Sequence, residues 1–322
     1  MIDKKTVGNR IKTQRLYLGF SQEILGDKLG VSAQAVSKWE QGKSLPDIEI
    51  LLSMSKVFAI TINDILEGIN LMMELTNQET TKGEVAFFDR SNAIDDTKWE
   101  EEMIAEKWIE MNWEYHKDHI FEHADIAKQI NKTDGVILEI GTGPGGGFMP
   151  AILLSKPSAN VIITDICPTV VLEWKKLLDR KADFPNVHYA VVDNCNLPFK
   201  DNSIDVVSSR GGIGNTIGDK EKAINEVYRV LKPKGVFVAS EGFVTKETLS
   251  TFPEDVQKVL KKKMPEIFED YYEELVTAGF RTIDTILGSN WSTDDDESEI
   301  ASLAKQLGIE IVFTGYLRYC MK

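Results

Sequence analysis

The sequence has 322 residues, of which 42% are hydrophobic and 27% charged, and its formal net charge is −14. This length fits two domains with sizeable cores, and no apolar run is long enough to cross a bilayer. The acidic balance excludes a protein that binds nucleic acid over its whole surface, and three cysteines without a CxxC pair favour a reducing, cytoplasmic location over a disulfide framework.

The charge is unevenly distributed along the chain. Residues 1–67 hold nine basic and eight acidic side chains, whereas the remainder holds 28 basic and 43 acidic ones. This difference indicates a small N-terminal domain over residues 1–67 and an acidic body. We expect a linker over the polar residues 68–98 and a second domain over residues 99–322.

The pattern of residues 1–67 predicts a small all-α domain. Helices are expected over 6–19, 21–29, 32–41, 48–58 and 62–66. Ser21 and Ser32 stand at N-cap positions and Gly30 closes the second helix. Two short helices joined by a tight turn that contains glycine form a helix-turn-helix.

The run SQEILGDKLGVSAQAVSKWEQGKSLPD, which begins at Ser21, closely resembles the helix-turn-helix of the phage-repressor and Cro-like (XRE-type) bacterial regulators. The resemblance implies that the third helix enters the DNA major groove and that the protein is a homodimer on two half-sites. An interaction module without DNA binding is the alternative. By the resemblance, Gln34, Ala35 and Lys38 face base edges, and Gln22, Ser37 and Lys43 contact the phosphate backbone.

The stretch 99–130 has helical periodicity and carries three of the four histidines. His116, His119 and His123 share one face of the expected helix, beside Tyr115. A metal site, a polar surface and part of a substrate pocket are the alternatives, and we expect no metal.

From residue 136 onward, strands and helices alternate. Strands are expected over 136–140, 161–164, 187–192, 204–208 and 236–239, with helices over 148–155, 170–181 and 220–231. This alternation predicts a parallel α/β sheet with ligands at the carboxyl ends of its strands. The chain ends in helices over 268–278 and 297–307 and strands over 281–287 and 309–318.

The glycine-rich run GTGPGGG follows the first of these strands. Glycine there permits a sharp turn and close approach of a ligand to the backbone, and the next helix would aim its amides at that ligand. Gly141, Gly143 and Gly146 satisfy the dinucleotide spacing GxGxxG, and Asp165 lies at the distance expected for a ribose ligand. The spacing alone therefore leaves NAD open.

The wider motif set resembles class I S-adenosylmethionine-dependent methyltransferases: VILEIGTGPGGGF, Asp165 after the second strand, DNCNLPF after the third, SIDVVSS and EVYRVLKPKGVFV. The resemblance implies a Rossmann-like seven-stranded sheet whose last strand is antiparallel. Lys234 departs from it, since a second glycine is common there. By the resemblance, S-adenosylmethionine is held by Glu139, Gly141, Gly143, Gly145, Asp165, Asp193 and Asn194.

The resemblance names no universal catalytic residue, because methyl transfer depends mainly on alignment and desolvation. Candidates are Arg210, Tyr115 and His119, with His116, Asn215 and Glu241 as further strand-end or helix positions. DNA is not the expected acceptor, because SSRGGIGN replaces the Asp/Asn-Pro-Pro-aromatic motif of amino-methylating enzymes and no Pro-Cys pair is present.

We therefore predict a methyltransferase that acts on a small molecule and is fused to a sequence-specific DNA-binding domain. The main alternative is a transcriptional regulator whose body senses the cofactor or a metabolite without turnover. An NAD oxidoreductase is a more distant third hypothesis.

Overall fold

The computed structural model describes residues 3–58, 60, 62–66, 71–76, 85–90, 105–119, 123–181, 184–216, 218–268, 270–288, 290–293 and 299–322. None of the described helices combines the length and apolar character that a bilayer span requires.

The N-terminal residues form five helices: α1 (Lys4–Tyr17), α2 (Gln22–Leu29), α3 (Ala33–Glu40), α4 (Ile48–Phe58) and α5 (Ile62–Leu66). The Ser21 hydroxyl accepts a hydrogen bond from the Ile24 amide, and Ser32 caps α3 through Ala35. Gly30 ends α2 with a φ of 69°. The helix-turn-helix prediction is confirmed. The N-caps and the glycine turn fix where its helices begin and end.

Strands from the rest of the chain form one sheet: β1 (Val85–Phe87), β2 (Val136–Glu139), β3 (Asn160–Asp165), β4 (Val187–Val191), β5 (Ile204–Arg210), β6 (Leu231–Phe243), β7 (Thr282–Leu287) and β9 (Val312–Met321), with β8 (Trp291–Ser292) paired to β9. Their order is β1-β4-β3-β2-β5-β6-β9-β7. The neighbours from β1 to β6 pair in parallel, and β9 runs antiparallel between β6 and β7. The predicted antiparallel terminal strand is confirmed.

Helices cover both faces of the sheet, because its central strands are apolar on both sides. One face packs against α7 (Ala105–Asp118), α8 (Ala124–Ile130), α9 (Met149–Ser155) and α10 (Pro168–Lys181). The other packs against α11 (Lys220–Val230) and α14 (Tyr272–Ala278). The predicted α/β fold is confirmed, and the sheet contains β1 and β8 in addition to the seven strands that were expected.

Two described segments lie within residues 68–98, for which we predicted a linker. Helix α6 (Leu71–Thr76) buries Met72 and Leu75 in the core, and the Leu75 carbonyl accepts from the Lys200 amide at 2.8 Å. Strand β1 pairs in parallel with β4 at the sheet edge. Both segments contact the sheet, whereas the domain boundaries at 67 and 98 remain a prediction.

A smaller apolar cluster lies beyond the carboxyl end of β6. It joins α12 (Lys246–Ser250), α13 (Glu254–Lys263) and α15 (Glu299–Leu307) to the start of β9. Helices α12 and α13 were not predicted from the sequence. The helix expected from residue 268 begins later, because a 3₁₀ turn ends at Phe268 and the Asp270 side chain then accepts from the Tyr272 amide.

Candidate functional site

The glycine loop links β2 to α9 at the carboxyl edge of the sheet. Gly141 has a φ of 58°, and a Cβ atom there would lie 2.7 Å from the Gly212 Cα. Gly147 has the same φ, and its Cβ would lie 1.9 Å from the Glu139 Oε1. Gly145 differs, because no atom lies within 4 Å of the position its Cβ would take. The loop is thus packed from below and open at Gly145.

Glu139 holds the loop from beneath. Its side chain is fully buried, Oε1 accepts from the Phe148 amide at 3.0 Å, and Oε2 accepts from the Ser208 hydroxyl. Burial raises the pKa of this carboxyl to about 7, although both hydrogen bonds and the charge of Arg210 favour its ionised form. Glu139 therefore ties β2, the glycine loop and β5 together.

Asp165, at the end of β3, supports the same loop from the side. Its Oδ2 accepts from the Gly143 amide at 2.8 Å and its Oδ1 from the Cys167 amide at 2.9 Å. Burial raises its pKa, and the backbone hydrogen bonds oppose that shift. Each carboxylate oxygen has a second lone pair, so both can still accept a hydrogen bond from a ligand.

Asp193 and Asn194 follow β4 along the same edge. The Asp193 Oδ1 accepts from the Cys195 amide at 2.8 Å and caps the 3₁₀ turn Asn194–Asn196. The Asn194 Nδ2 donates to the Gly212 carbonyl at 3.3 Å. These contacts join the loop after β4 to the loop after β5.

Helix α7 packs on the glycine loop from the other side. The Asn112 Nδ2 donates to the Pro144 carbonyl at 3.1 Å, and the His116 Nε2 lies 3.3 Å from the Gly145 carbonyl. His116 is buried, whereas Tyr115 is 45% exposed and stacks on His119 with ring centroids 4.2 Å apart. Asn112 was not among the predicted site residues, because no sequence motif marks it and its contact depends on how α7 packs on the loop.

The strands β5 and β6 bring further polar groups to this edge. Arg210 ends β5 with an exposed side chain. Glu241 on β6 is buried, and its Oε1 accepts from the Gly214 amide at 3.2 Å. Burial raises the pKa of Glu241 to about 7. Asn215 lies in the loop between these groups, where its amide donates to the Gly211 carbonyl.

The histidines of α7 and α8 do not assemble a metal cluster with other ligands in the described ranges. The His123 ring lies 5.7 Å from that of His116 and makes an edge contact with Phe148. The described packing thus places these two rings beside the glycine loop.

The predicted DNA-binding residues lie on and around α3. Gln34, Lys38 and Lys43 are exposed, whereas Ala35 and Ser37 are half-buried. The Ser37 hydroxyl accepts from the Gln41 Nε2 at 2.9 Å. Helix α3 thus presents two long polar side chains, Gln34 and Lys38, to solvent.

A buried ion pair fixes α3 against α1. The Arg15 Nε and Nη2 donate to the two Glu40 oxygens at 2.5 and 3.0 Å, and the Gln22 Nε2 donates to Oε2 of Glu40 at 2.7 Å. Gln22 is therefore engaged inside the domain through its amide nitrogen.

Comparison with protein families agrees with this architecture. Residues 11–65 match the helix-turn-helix profile, and residues 138–239 match the profile of a methyltransferase domain. The chain joins a helix-turn-helix domain to a methyltransferase domain.

Curated relatives match the two domains separately. The methyltransferase domain is 34% identical over 126 residues to the ubiquinone/menaquinone biosynthesis C-methyltransferase UbiE of Rickettsia prowazekii, covering 38% of this chain and 50% of that protein. The helix-turn-helix domain is 41% identical over 75 residues to the HTH-type transcriptional activator BcrR of Enterococcus faecalis, covering 22% of this chain and 37% of that protein. The chain thus spans about half the length of the curated methyltransferases it matches.

Solved structures share the fold of the methyltransferase domain. Phosphoethanolamine N-methyltransferase 2 of Haemonchus contortus, in complex with S-adenosyl-L-methionine, superposes with a TM-score of 0.50 and 19% identity over 73% of this chain and 61% of that one. The same enzyme in complex with phosphomonomethylethanolamine and S-adenosylhomocysteine superposes with a TM-score of 0.50 and 18% identity, over 71% of this chain and 61% of that one. At this identity the likeness concerns the Rossmann-like fold.

Proposed function

We propose that this protein is an S-adenosylmethionine-dependent methyltransferase that acts on a small molecule and binds DNA, as a homodimer in the cytoplasm, through its helix-turn-helix domain. The observation that carries the proposal is the convergence of the glycine loop, Asp165 and Asp193 at one edge of the methyltransferase domain. The open position at Gly145 supports it, because a ligand there meets backbone without a side chain.

The residues at this edge fit the chemical groups of S-adenosylmethionine. Gly141, Gly143 and Gly145 would admit its amino-acid and ribose parts, with Glu139 fixing the loop under the ammonium. Asp165 would accept from the ribose hydroxyls, and Asp193 with Asn194 would bind the adenine amine. When bound, the cofactor supplies a methyl group that the positive sulfur activates toward displacement.

The protein's own contribution is alignment and exclusion of water. The loop after β5 and the helix α7 border the glycine loop, so an acceptor would be held between them and the methyl group. Fixing two reactants in this way can supply effective molarities of roughly 10⁵–10⁸ M. Arg210, Tyr115 and His119 remain our proposed acceptor-side residues, all three with exposed side chains.

A small acceptor is favoured over DNA by charge. The chain beyond residue 67 has many more acidic than basic side chains, which would repel a duplex from the methyl-transfer site. DNA binding is instead assigned to Gln34, Ala35 and Lys38 for base edges and to Gln22, Ser37 and Lys43 for phosphates.

Calorimetry with S-adenosylmethionine, S-adenosylhomocysteine and NAD tests the cofactor assignment. We expect the first two to bind and NAD not to bind, with Asp165→Asn weakening both and the exposed Asp255→Asn leaving them unchanged. Binding of NAD alone would overturn the proposal.

A sensor without turnover is the second candidate function, and the similarity of the N-terminal domain to a transcriptional activator favours it. Incubation of the protein with S-adenosylmethionine and a metabolite extract separates the two functions. We expect release of S-adenosylhomocysteine, and Asp165→Asn should lower its rate because the cofactor binds more weakly. Cofactor binding without any release would favour the sensor.

A mobility shift with the DNA upstream of the protein's own reading frame tests the N-terminal domain. We expect salt-sensitive binding of a dimer to two half-sites about one helical turn apart. If no DNA fragment is bound even at low salt, the N-terminal domain is an interaction module without DNA binding.

A further inference from the structure

A cavity of about 700 Å³ lies beside the carboxyl edge of the sheet. One wall is the start of α11, with Asp219 and Lys220, which follows the loop from β5. The opposite wall is the segment from Phe268 to α14, with Tyr271 and Glu274. The cavity is therefore on the acceptor side of the site, toward β6.

Two buried polar groups line this cavity without a hydrogen-bond partner among the described residues. They are the Tyr271 hydroxyl, on a side chain that is only 2% exposed, and the Glu274 Oε2. A buried polar atom without a partner costs free energy that a bound ligand can restore. Both groups can accept a hydrogen bond.

Glu241 adds a carboxylate next to Tyr271. Burial raises the pKa of Tyr271, and the charge of Glu241 adds to that rise, although the two groups do not form a hydrogen bond in good geometry. Because Glu241 also accepts from the Gly214 amide, it stands between the loop after β5 and the cavity wall. Lys220, from α11, is the further charged group that acts on it.

The buried cation of this region is already engaged. Both Nη atoms of Arg318 on β9 donate to the Asp270 carboxylate, at 2.7 and 2.9 Å. The guanidinium also lies 5.5 Å from the centre of the Tyr271 ring. The charged residues that line the cavity are four carboxylates and two lysines: Asp219, Glu221, Asp270, Glu274, Lys220 and Lys246. This acidic excess favours a cationic ligand over an anionic one.

We propose that this cavity binds the methyl acceptor and that the acceptor is an amine, which enters as an ammonium and donates to Tyr271 and Glu274, with Glu241 behind Tyr271. The inference rests on the proposed methyltransferase function and deepens it. One ammonium proton passes to the Tyr271 hydroxyl, which at the same time gives its own proton to the adjacent Glu241 carboxylate. The nitrogen then uses the freed electron pair to form a bond to the transferred methyl carbon, while the pair of the broken carbon–sulfur bond stays on sulfur.

The test is ligand binding to the full chain saturated with S-adenosylhomocysteine. The probes are a panel of alkyl amines, each matched by the alcohol and the carboxylate of the same carbon skeleton, and the readout is saturation-transfer NMR followed by calorimetry. We expect amines to bind and the matched carboxylates not to bind. Tyr271→Phe and Glu274→Gln should each weaken the best amine about tenfold, which corresponds to one lost hydrogen bond to a charged donor.

The neighbouring residues provide matched controls. Tyr272→Phe and Glu273→Gln make the same chemical changes at exposed positions and should leave amine affinity unchanged. Amine affinity should also rise as the pH increases through about 7, because Glu241 ionises there, and Glu241→Gln should remove that rise.

Three results would overturn the inference: carboxylates that bind as well as amines, amine affinity unchanged in both wall variants, or no amine bound at all. S-Adenosylhomocysteine affinity is measured on the same samples. If the unmodified protein does not bind S-adenosylhomocysteine, the proposed function is contradicted. If it binds S-adenosylhomocysteine but no amine, only the acceptor assignment is contradicted.

Discussion

Glu139 illustrates how one buried carboxyl organises the cofactor edge. Its side chain reaches the Phe148 amide above and the Ser208 hydroxyl on the neighbouring strand. Gly147 must be glycine partly because Glu139 occupies the space that a Cβ would need. The free energy that these hydrogen bonds contribute is offset by the cost of burying the ionised carboxyl.

That cost makes stability depend on pH. The folded pKa of Glu139 is about 7, above its ordinary value of 4.5, so between these values the folded state holds the proton more tightly. Stability from this group is greatest below about pH 4.5 and falls as the pH rises to about 7, by about 3 kcal/mol. We expect Glu139→Gln to flatten this fall in urea unfolding measured from pH 5 to 8.

The exposed Glu254→Gln is the control for this experiment and should keep the slope of the unmodified protein. Because burial also raises the pKa of Glu241 and of Asp165, part of the slope should persist in Glu139→Gln. An unchanged slope in Glu139→Gln would show that the pKa of Glu139 is not raised in the folded protein.

Lys234 gives a second residue-scale prediction. It has a φ of 68°, in the left-handed region that disfavours side chains with a Cβ, and the family resemblance leads us to expect glycine at this position. We expect Lys234→Gly to raise the free energy of unfolding by about 1 kcal/mol, since relief of strain exceeds the added freedom of the unfolded chain. Lys234→Ala keeps the Cβ and should give no such gain in the same urea titration.

At the scale of elements, α7 positions the glycine loop from outside the sheet. Asn112 and His116, one turn apart, both contact loop carbonyls. We expect Asn112→Ala to weaken S-adenosylmethionine binding about tenfold in calorimetry, because the loop loses a hydrogen bond that fixes Pro144. Lys107→Ala, at an exposed position of the same helix, should bind like the unmodified protein. Equal affinities for both variants would contradict this role of α7.

Helix α3, the proposed recognition helix, combines exposed polar positions with a firmly held inner face. Val36 and Trp39 are buried, whereas Gln34 and Lys38 point to solvent. We expect Gln34→Ala to lower specific DNA affinity by about 1–3 kcal/mol in mobility shifts, without a change in stability, because a base contact is lost.

Lys38→Ala and Lys56→Ala form a matched pair for the same domain. Both remove one exposed positive charge, but Lys56 lies on α4. Only Lys38→Ala should weaken DNA binding. Equal loss in both variants would indicate non-specific electrostatic attraction in place of a reading helix.

The sequence predicts best the elements whose signals are local. Ser21, Ser32 and Gly30 mark the ends of the helix-turn-helix, and β-branched runs mark the central strands. Strand β1 has only three residues, too few for a periodic signal, and its pairing with β4 is tertiary. The cavity residues Tyr271 and Glu274 carry no motif, because only folding brings them close to Glu241.

At the scale of the whole molecule, the chain has separate apolar cores. Residues of α1 to α5 form one cluster, and the two faces of the sheet form two others. The segment between the helix-turn-helix and α7 contributes Met72, Leu75 and Ala86 to the sheet core. The chain between the two predicted domains therefore has a structural role in the second one.

This role predicts where the chain can be divided. A fragment of residues 68–322 keeps α6 and β1, whereas residues 99–322 lose the burial of Met72 and Leu75 and the pairing of β1 with β4. At about 1.5–3 kcal/mol for each large side chain, we expect the shorter fragment to be less stable by roughly 3–6 kcal/mol in urea unfolding. In the full chain, Leu75→Ala should destabilise the methyltransferase domain by about 2–5 kcal/mol, while Leu25→Ala should affect only the helix-turn-helix. If the two fragments are equally stable, residues 68–98 do not stabilise the methyltransferase domain and serve only as a linker.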